Sequence, residues 1–208
     1  MDLEAHARVS SNYRKHTAVN PIQRLLIDRF HRRIVAEIVA LAPRSFLDAG
    51  CGEGFVVHQV RQSIPGLAVT GCDVSTGALT IAAAANPGAR FVAGNVTDLP
   101  FPDDSFDDIG CFEVLEHLPG DLPRTALAEL ARVARRAVVL SVPHEPAFRL
   151  ANVARGKNLD VHPRGSDPDH HQLWSRGEFG ELVGERLQVR VLSGSFPWTI
   201  CVAGVAEP

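Results

Sequence analysis

The feature that most constrains the fold is a glycine-rich turn between a short apolar segment and a helical pattern. Residues 45–48 have the character of a short buried strand that ends at Asp48, and glycines follow at positions 50, 52 and 54. An apolar stripe at helical spacing then begins at Phe55. Glycine permits a sharp turn and a close approach of the backbone to a ligand. The segment therefore predicts a strand, a ligand-binding turn and the N-terminus of a helix.

Strand and helix patterns alternate along the following part of the chain. Four further strands are predicted at residues 67–72, 90–93, 106–112 and 137–142. Helical patterns follow the strands at residues 45–48, 67–72 and 106–112. Strands that alternate with helices indicate a parallel sheet covered on both faces. We therefore predict an α/β, Rossmann-like, doubly wound fold.

The two ends of the chain depart from this alternation. Apolar residues between Ile22 and Ile38 recur at helical spacing, within a helical segment that we assign to residues 1–43. Two strand patterns at residues 187–192 and 199–205 flank a short turn and predict a C-terminal antiparallel hairpin. We expect the 208 residues to form a single domain.

One segment is too long to be an ordinary connection. Residues 144–174 are rich in proline, charge and histidine and leave from the end of the fifth predicted strand. Loops of this length in compact domains are usually lids or binding loops. We predict that residues 144–174 form a lid on the acceptor side of the ligand site.

Composition excludes several classes of protein. Hydrophobic residues make up 45% of the chain and the formal net charge is −3, without a basic block, so nucleic acid is not an expected partner. No apolar stretch could span a bilayer, and the N-terminus lacks the apolar region of a signal peptide. We expect a cytoplasmic protein in which Cys51, Cys72, Cys111 and Cys201 are buried, reduced thiols.

The charges around the glycine turn distinguish between possible ligands. Such a turn can hold a dinucleotide pyrophosphate or another adenosine-containing ligand. The spacing is G-x-G-x-G rather than G-x-G-x-x-G, and Asp48 and Glu53 place carboxylates at the turn. A carboxylate repels a pyrophosphate by about 1 to 4 kcal/mol at about 4 Å, depending on the dielectric. The same carboxylate attracts the ammonium and sulfonium groups of S-adenosylmethionine, which is the cofactor that we predict.

A second acid supports this prediction. Asp73 ends the second strand about 20 residues after the turn, where an acid can accept hydrogen bonds from both ribose hydroxyls. Asp73 is also a candidate helix N-cap, which would not exclude ribose binding. The neighbouring Val74 is placed to pack on the adenine.

Four motifs, in this order, make the chain resemble the class I S-adenosylmethionine-dependent methyltransferases. The particular likeness is to the ubiquinone/menaquinone-biosynthesis (type 11) methyltransferase domain. The motifs are LDAGCGEG, GCDVS, GNVTDLPFPDDSFD and EVLEHL, between residues 46 and 118. The resemblance implies a seven-stranded, mostly parallel sheet of order 3-2-1-4-5-7-6. It also implies a cofactor that lies across the carboxyl ends of strands one, two and four.

The resemblance also implies a role for each matching residue. Asp48 would hold the methionine ammonium, and Asp73 would bind the ribose. Glu113 would face the methyl-donor end. Gly50, Cys51 and Gly52 would line the methionine moiety. Asn95 and Val96 would lie at the adenine edge. Asn95 has an alternative reading as an ordinary turn residue.

Two histidines are candidate catalytic bases. His144 follows the fifth predicted strand at the ligand-binding edge, and His117 follows the fourth. Either side chain can take a proton from an incoming hydroxyl or amine. The alternatives are that His117 belongs to a solvated helix start and that His144 is an ordinary loop histidine. The segment that contains His162, His170 and His171 shows no recognisable ligand spacing, so we predict no metal site.

The acceptor is predicted only by class. We expect methyl transfer to a small-molecule or lipid-linked acceptor, with S-adenosylhomocysteine as the other product. Rival readings are an NAD- or nucleotide-sugar-binding enzyme and a non-catalytic adenosylmethionine-binding module. A nucleic-acid methyltransferase is disfavoured by the acidic charge balance and by the lack of an Asn/Asp-Pro-Pro-Tyr/Phe motif. The oligomeric state is left open.

Overall fold

The computed structural model describes residues 21–154, 156 and 158–205, and a seven-stranded sheet forms its centre. The strands lie in the order β3-β2-β1-β4-β5-β7-β6. β1 to β5 are parallel, and β7 runs antiparallel to both β5 and β6. This confirms the predicted fold class, strand order and hairpin. The strands are β1 (Ser45–Ala49), β2 (Ala68–Asp73), β3 (Arg90–Ala93), β4 (Phe106–Phe112), β5 (Ala134–Pro143), β6 (Gln188–Ser195) and β7 (Trp198–Gly204).

Helices cover both faces of the sheet, as the alternation predicts. Successive residues of a strand point to opposite faces, so Phe46 and Leu47 of β1 enter two different apolar clusters. The first and second helices pack on the Phe46 face, and the fourth and sixth pack on the Leu47 face. The helices are α1 (Pro21–Leu41), α2 (Phe55–Ser63), α3 (Thr76–Ala85), α4 (Leu122–Val133), α5 (Glu145–Ala154) and α6 (Arg176–Gly184), with a 3₁₀ turn at Leu115–His117.

The structure moves several strand boundaries, and the largest change at the start of a strand is in β5. β5 begins at Ala134, directly after α4, and not at residue 137. Its first residues include two arginines, which mask the strand pattern in the sequence. Arg135 Nη1 lies 3.1 Å from Asp107 Oδ1, and Arg136 pairs with Asp108, so each charge is compensated by the neighbouring strand.

The structure also changes the prediction for residues 144–174. The segment opens with the helix α5, where the sequence predicts a loop. Pro146 lies in the first turn of this helix, where the missing N–H group does not interrupt the hydrogen-bond ladder. A proline that looks like a loop signal is therefore compatible with a helix at this position.

Two further expectations can be compared with the described residues. All four cysteines are buried and free, as predicted. Within the described ranges, no helix is long and apolar enough to cross a membrane. Residues 1–20 of the predicted N-terminal helical segment lie outside the description, and α1 accounts for most of the remainder.

A buried amide ties a helix end to the glycine turn. Asn86 follows α3 and is 2% exposed. Its side-chain Nδ2 donates to the carbonyl of Ala82 at 3.0 Å and to that of Gly54 at 3.3 Å. Residue 86 therefore holds the last turn of α3 against the start of α2.

We predict that Asn86→Ala lowers the free energy of unfolding by about 1 to 3 kcal/mol, because it leaves buried carbonyl groups without their donor. Urea denaturation followed by circular dichroism measures this change. Gln62→Ala on the exposed face of α2 is the control and should stay within about 0.5 kcal/mol of the parent. An equal loss in both variants would contradict the bridging role of Asn86.

Candidate active site

The glycine turn is held against the end of the neighbouring strand β2. The backbone N–H groups of Gly50 and Cys51 donate to the carbonyl of Cys72 at 2.7 and 3.0 Å. Gly50 has a φ of +81°, and a Cβ at this position would overlap the side chain of Val114. Only glycine combines an easily adopted left-handed φ with the absence of a Cβ. Gly50 therefore allows the turn after β1 to lie against both the end of β2 and Val114, which follows β4.

Asp48, the acid before the turn, is buried, and no cationic side chain of the described residues forms an ion pair with it. It is 2% exposed, and its Oδ2 has no hydrogen-bond partner within the described residues. Burial, reinforced by the neighbouring Asp73, raises the pKa of Asp48 to about 8. A buried acid of this kind is costly unless a cation or donor compensates it. The site therefore fits a cationic ligand, as the ammonium of S-adenosylmethionine requires.

Asp73 lies beside the same turn and organises it. Its Oδ2 accepts a hydrogen bond from the N–H of Gly52 at 2.8 Å, and its Oδ1 accepts one from Ser75 at 2.8 Å. The N-cap of α3 is Ser75, whose hydroxyl accepts from the N–H of Ala78, so Asp73 is not the capping residue. Each carboxylate oxygen has a second lone pair, which leaves capacity for two ribose hydroxyls.

A small cavity brings together several of the predicted residues. It has a volume of about 60 Å³, and Asp48, Gly50, Cys51 and Glu113 contribute to its wall. Phe30 and His31 of α1 also line it, and neither was among the sequence-predicted site residues. A signal for His31 was present, because it lies at helical spacing between the buried residues Ile27 and Ile34. A polar residue within an apolar stripe can mark a site.

His31 is a neutral group in this wall. Burial lowers its pKa to about 4, although Asp28 opposes the shift. The side-chain amide of Gln59 lies 2.8 Å from Nδ1. Because an amide nitrogen can only donate, we assign the ring proton to Nε2.

Glu113 is fixed at the end of β4 in an unusual backbone conformation. Its φ is +56°, a left-handed value that is uncommon for residues other than glycine and often found at functional sites. The carboxylate accepts hydrogen bonds from Ser141 Oγ at 3.0 Å and from Trp198 Nε1 at 2.6 Å. Trp198 was also missed from the sequence, and it orients Glu113 towards the cavity wall.

The three residues predicted to lie near the adenine, Val74, Asn95 and Val96, differ in how far their side chains are accessible to a ligand. Val74 is 68% exposed, so its side chain is accessible to a ligand. Val96 is buried in the core, which leaves its backbone rather than its side chain to meet an adenine. Asn95 Oδ1 accepts a hydrogen bond from the N–H of Thr97 at 3.0 Å, the turn geometry that the sequence left open as an alternative.

The two candidate bases lie at different places. His144 follows the carboxyl end of β5, and burial together with Arg176 lowers its pKa, so it is neutral at neutral pH. His117 is the last residue of the 3₁₀ turn, and its Nδ1 lies 2.9 Å from the carbonyl of Asp169. Neither residue lines the cavity around Asp48, and His117 instead contacts His170.

Comparison with known proteins gives a family match over the region that contains the glycine turn, Asp73 and Glu113. Residues 47–142 match the family described as a methyltransferase domain. The fold and the match identify this region as a class I, S-adenosylmethionine-dependent methyltransferase domain. The domain is similar in particular to the quinone-biosynthesis methyltransferases, as the two relatives below illustrate.

The curated relatives carry methyltransferase names. The chain is 32% identical over 138 residues to the demethylmenaquinone methyltransferase of Paenarthrobacter aurescens, covering 62% of this chain and 51% of that protein. It is 26% identical over 186 residues to the ubiquinone biosynthesis O-methyltransferase of Nitrosospira multiformis, covering 85% and 72% of the two chains. The chain thus spans about half the length of the first of these relatives.

A solved structure confirms the similarity of fold. The magnesium protoporphyrin IX methyltransferase of Synechocystis PCC 6803, crystallised with bound S-adenosylhomocysteine, superposes with a TM-score of 0.71. The two chains are 20% identical, and the superposition covers 97% of each. At this identity the likeness concerns the fold.

We predict that Asp48→Asn raises the melting temperature of the cofactor-free protein, increasingly so as the pH rises. The folded pKa of about 8 lies above the ordinary aspartate pKa of 3.8, so ionisation of Asp48 lowers folding stability as the pH rises between these two values. Thermal unfolding at several pH values measures the effect. The exposed Asp98→Asn is the control, and a pH-independent difference for Asp48→Asn would contradict the assigned pKa.

Proposed function

We propose that the protein transfers the methyl group of S-adenosylmethionine to a small-molecule acceptor. The observation that carries this proposal is the buried Asp48 carboxyl group behind the glycine turn, whose Oδ2 atom has no hydrogen-bond partner in the part of the chain that the structure describes. Asp48 would neutralise the ammonium of the methionine moiety, and Gly50, Cys51 and Gly52 would line that moiety. Asp73 would accept hydrogen bonds from the ribose hydroxyls. Binding of the cofactor would then release a proton from Asp48 at neutral pH.

The same carboxyl group argues against a dinucleotide. A cation would draw the proton from Asp48, whereas a pyrophosphate would hold the pKa of Asp48 high and be repelled by its ionised form. The N–H groups of Gly50 and Cys51 are already committed to the carbonyl of Cys72. These N–H groups are therefore not available to cradle phosphate oxygens. The arrangement supports a cofactor with positive charge and not one with negative charge.

S-adenosylmethionine supplies, when bound, an electrophilic methyl group on a positively charged sulfur. The residues of this chain would contribute alignment of the acceptor and exclusion of water, which can account for most of the acceleration of a displacement. His144 would accept a proton from an oxygen or ammonium acceptor, and its lowered pKa keeps it in the neutral form that this role requires.

An acceptor of the quinol type, with or without a lipid tail, is supported by two observations. Relatives are named as demethylmenaquinone and ubiquinone biosynthesis methyltransferases. In addition, residues 144–174, which we propose as the acceptor-side lid, expose apolar side chains. Leu150 is 69% exposed and Leu159 is 49% exposed. Such residues offer an apolar surface to a hydrophobic acceptor.

We predict that S-adenosylmethionine and S-adenosylhomocysteine bind with micromolar-scale affinity and that NAD does not. Asp73→Ala should weaken this binding by roughly 1.5 to 3 kcal/mol, the scale of hydrogen bonds to a charged group. Isothermal titration calorimetry measures all of these affinities. Asp121→Ala, which removes an exposed carboxylate at the start of α4, is the control. Tight NAD binding without an adenosylmethionine signal would contradict the proposed function.

We predict that His144→Ala lowers the turnover of an oxygen acceptor while the affinity for S-adenosylmethionine is unchanged. The reason is that the base acts on the acceptor and not on the cofactor. The measurement is transfer of a labelled methyl group to a quinol, presented with and without an isoprenoid tail.

His117→Ala is the paired variant in this assay. Full turnover in His144→Ala together with a loss in His117→Ala would move the role of the base to His117. Full turnover in both variants would mean that alignment alone drives the transfer. Activity only with the tailed quinol would identify the acceptor as lipid-linked.

A further inference from the structure

A group of three potential metal ligands lies beside the turn that ends β4. Glu116 and His117 belong to the 3₁₀ turn, and His170 belongs to the segment before α6. One carboxylate oxygen and one nitrogen from each histidine all lie within 4.8 Å of one another. The two imidazole rings are in edge contact, with centroids 5.0 Å apart.

The backbone holds these residues together. The carbonyl of Glu116 accepts hydrogen bonds from the N–H groups of His171 and Gln172, at 2.8 and 3.0 Å. The side-chain amide of Gln172 donates to the carbonyls of Leu118 and Gly120. The loop that carries His170 is therefore fixed against the 3₁₀ turn before any ligand is considered.

Each of the two rings makes a polar contact through its Nδ1 atom. His117 Nδ1 lies 2.9 Å from the carbonyl of Asp169, which can only accept, so Nδ1 carries the proton. His170 Nδ1 lies 3.1 Å from Oε1 of Glu145, which orients this ring in the same way. A metal ion would therefore be bound through the Nε2 atom of each ring. Metal-binding histidines usually have a carboxylate or carbonyl partner on the other nitrogen.

His170 provides an independent sign of a ligand. Its side chain is 1% exposed, and its Nε2 has no hydrogen-bond partner in the described residues. Buried polar atoms are almost always satisfied by a protein group, a water or an ion. Nε2 belongs to the ring that meets His117 and Glu116, so the atom without a partner is one that the cluster would use.

We propose that Glu116, His117 and His170 bind one divalent transition-metal ion of the zinc type, with Glu145 as the residue that orients His170. Two imidazoles and one carboxylate suit zinc and similar ions, whereas Mg²⁺ and Ca²⁺ prefer oxygen ligands. In a tetrahedral site with bonds of about 2.0 to 2.1 Å, neighbouring ligand atoms lie roughly 3.3 Å apart. The ligand atoms of the group, which now lie within 4.8 Å of one another, would need to approach by up to about 1.5 Å.

The ion would have two consequences for the molecule. It would cross-link the segment containing His170 to the turn that follows β4, and would thereby stabilise the proposed lid against the domain. Three protein ligands also leave at least one coordination position for water or another oxygen ligand. The sequence prediction of no metal site is revised by this proposal, because the ligands are separated by more than fifty residues along the chain and show no motif spacing.

Calorimetric titration of the tag-free, full-length protein with zinc ions tests the proposal. We expect one equivalent to bind, and Mg²⁺ at the same concentration not to compete. His117→Ala and His170→Ala should each weaken zinc binding by at least about tenfold, and Glu145→Gln by about tenfold or more through the orientation of His170. His171→Ala removes the exposed neighbouring histidine and should bind zinc like the parent protein.

Two further measurements separate the outcomes. Zinc should raise the melting temperature of the parent and of His171→Ala, but not that of His170→Ala. The affinity of each variant for S-adenosylmethionine, measured without metal, should be unchanged, so failure of this proposal is distinguishable from failure of the proposed function. The absence of zinc binding in the parent, or undiminished binding in both His117→Ala and His170→Ala, would mean that the cluster is only a hydrogen-bonded His170–Glu145 pair.

Discussion

The hydrogen bonds between the glycine turn and the end of β2 are the interaction on which the rest of the site depends. Cys72 accepts two of them through its carbonyl, and Asp73 accepts a third through its carboxylate. They fix the turn so that Asp48 is enclosed beneath it and α2 starts beside it. Because the turn requires a left-handed φ at Gly50, its geometry depends on the amino-acid sequence at that position.

The burial of Asp48 lowers the stability of the folded protein but favours the binding of a cationic ligand. The Oδ2 atom of the enclosed Asp48 has no hydrogen-bond partner within the described residues. Burial therefore disfavours the ionised form of Asp48, and its raised pKa expresses that cost. The same carboxylate provides a strong, directional attraction for a cationic ligand in a place where water is excluded. Glu113 is also held in an unfavourable state by its surroundings. Its left-handed backbone conformation is maintained by hydrogen bonds from Ser141 and Trp198 to its carboxylate.

Local patterns in the sequence were sufficient for most of the fold. Alternating apolar strands and helical stripes are dictated by burial on two sheet faces, so the parallel sheet and the terminal hairpin could be predicted. The start of β5 and the helix α5 could not. At β5 the charges of Arg135 and Arg136 are compensated by aspartates of the adjacent strand β4, which the local pattern does not show. At α5 a proline occupies the one helical turn that tolerates it.

The sequence by itself determined the glycine turn, the acids Asp48 and Asp73 and the chemical class of ligand that they favour. These features are close together in the chain or follow directly from strand order, so local spacing suffices to find them. Only the tertiary structure decided which distant residues complete the walls. His31 and Trp198 reach the site from the first helix and the last strand, and His170 meets Glu116 and His117 across more than fifty residues. Such contacts are set by how helices and loops pack on the sheet. Apart from the helical spacing of His31, that packing leaves no periodic trace in the sequence.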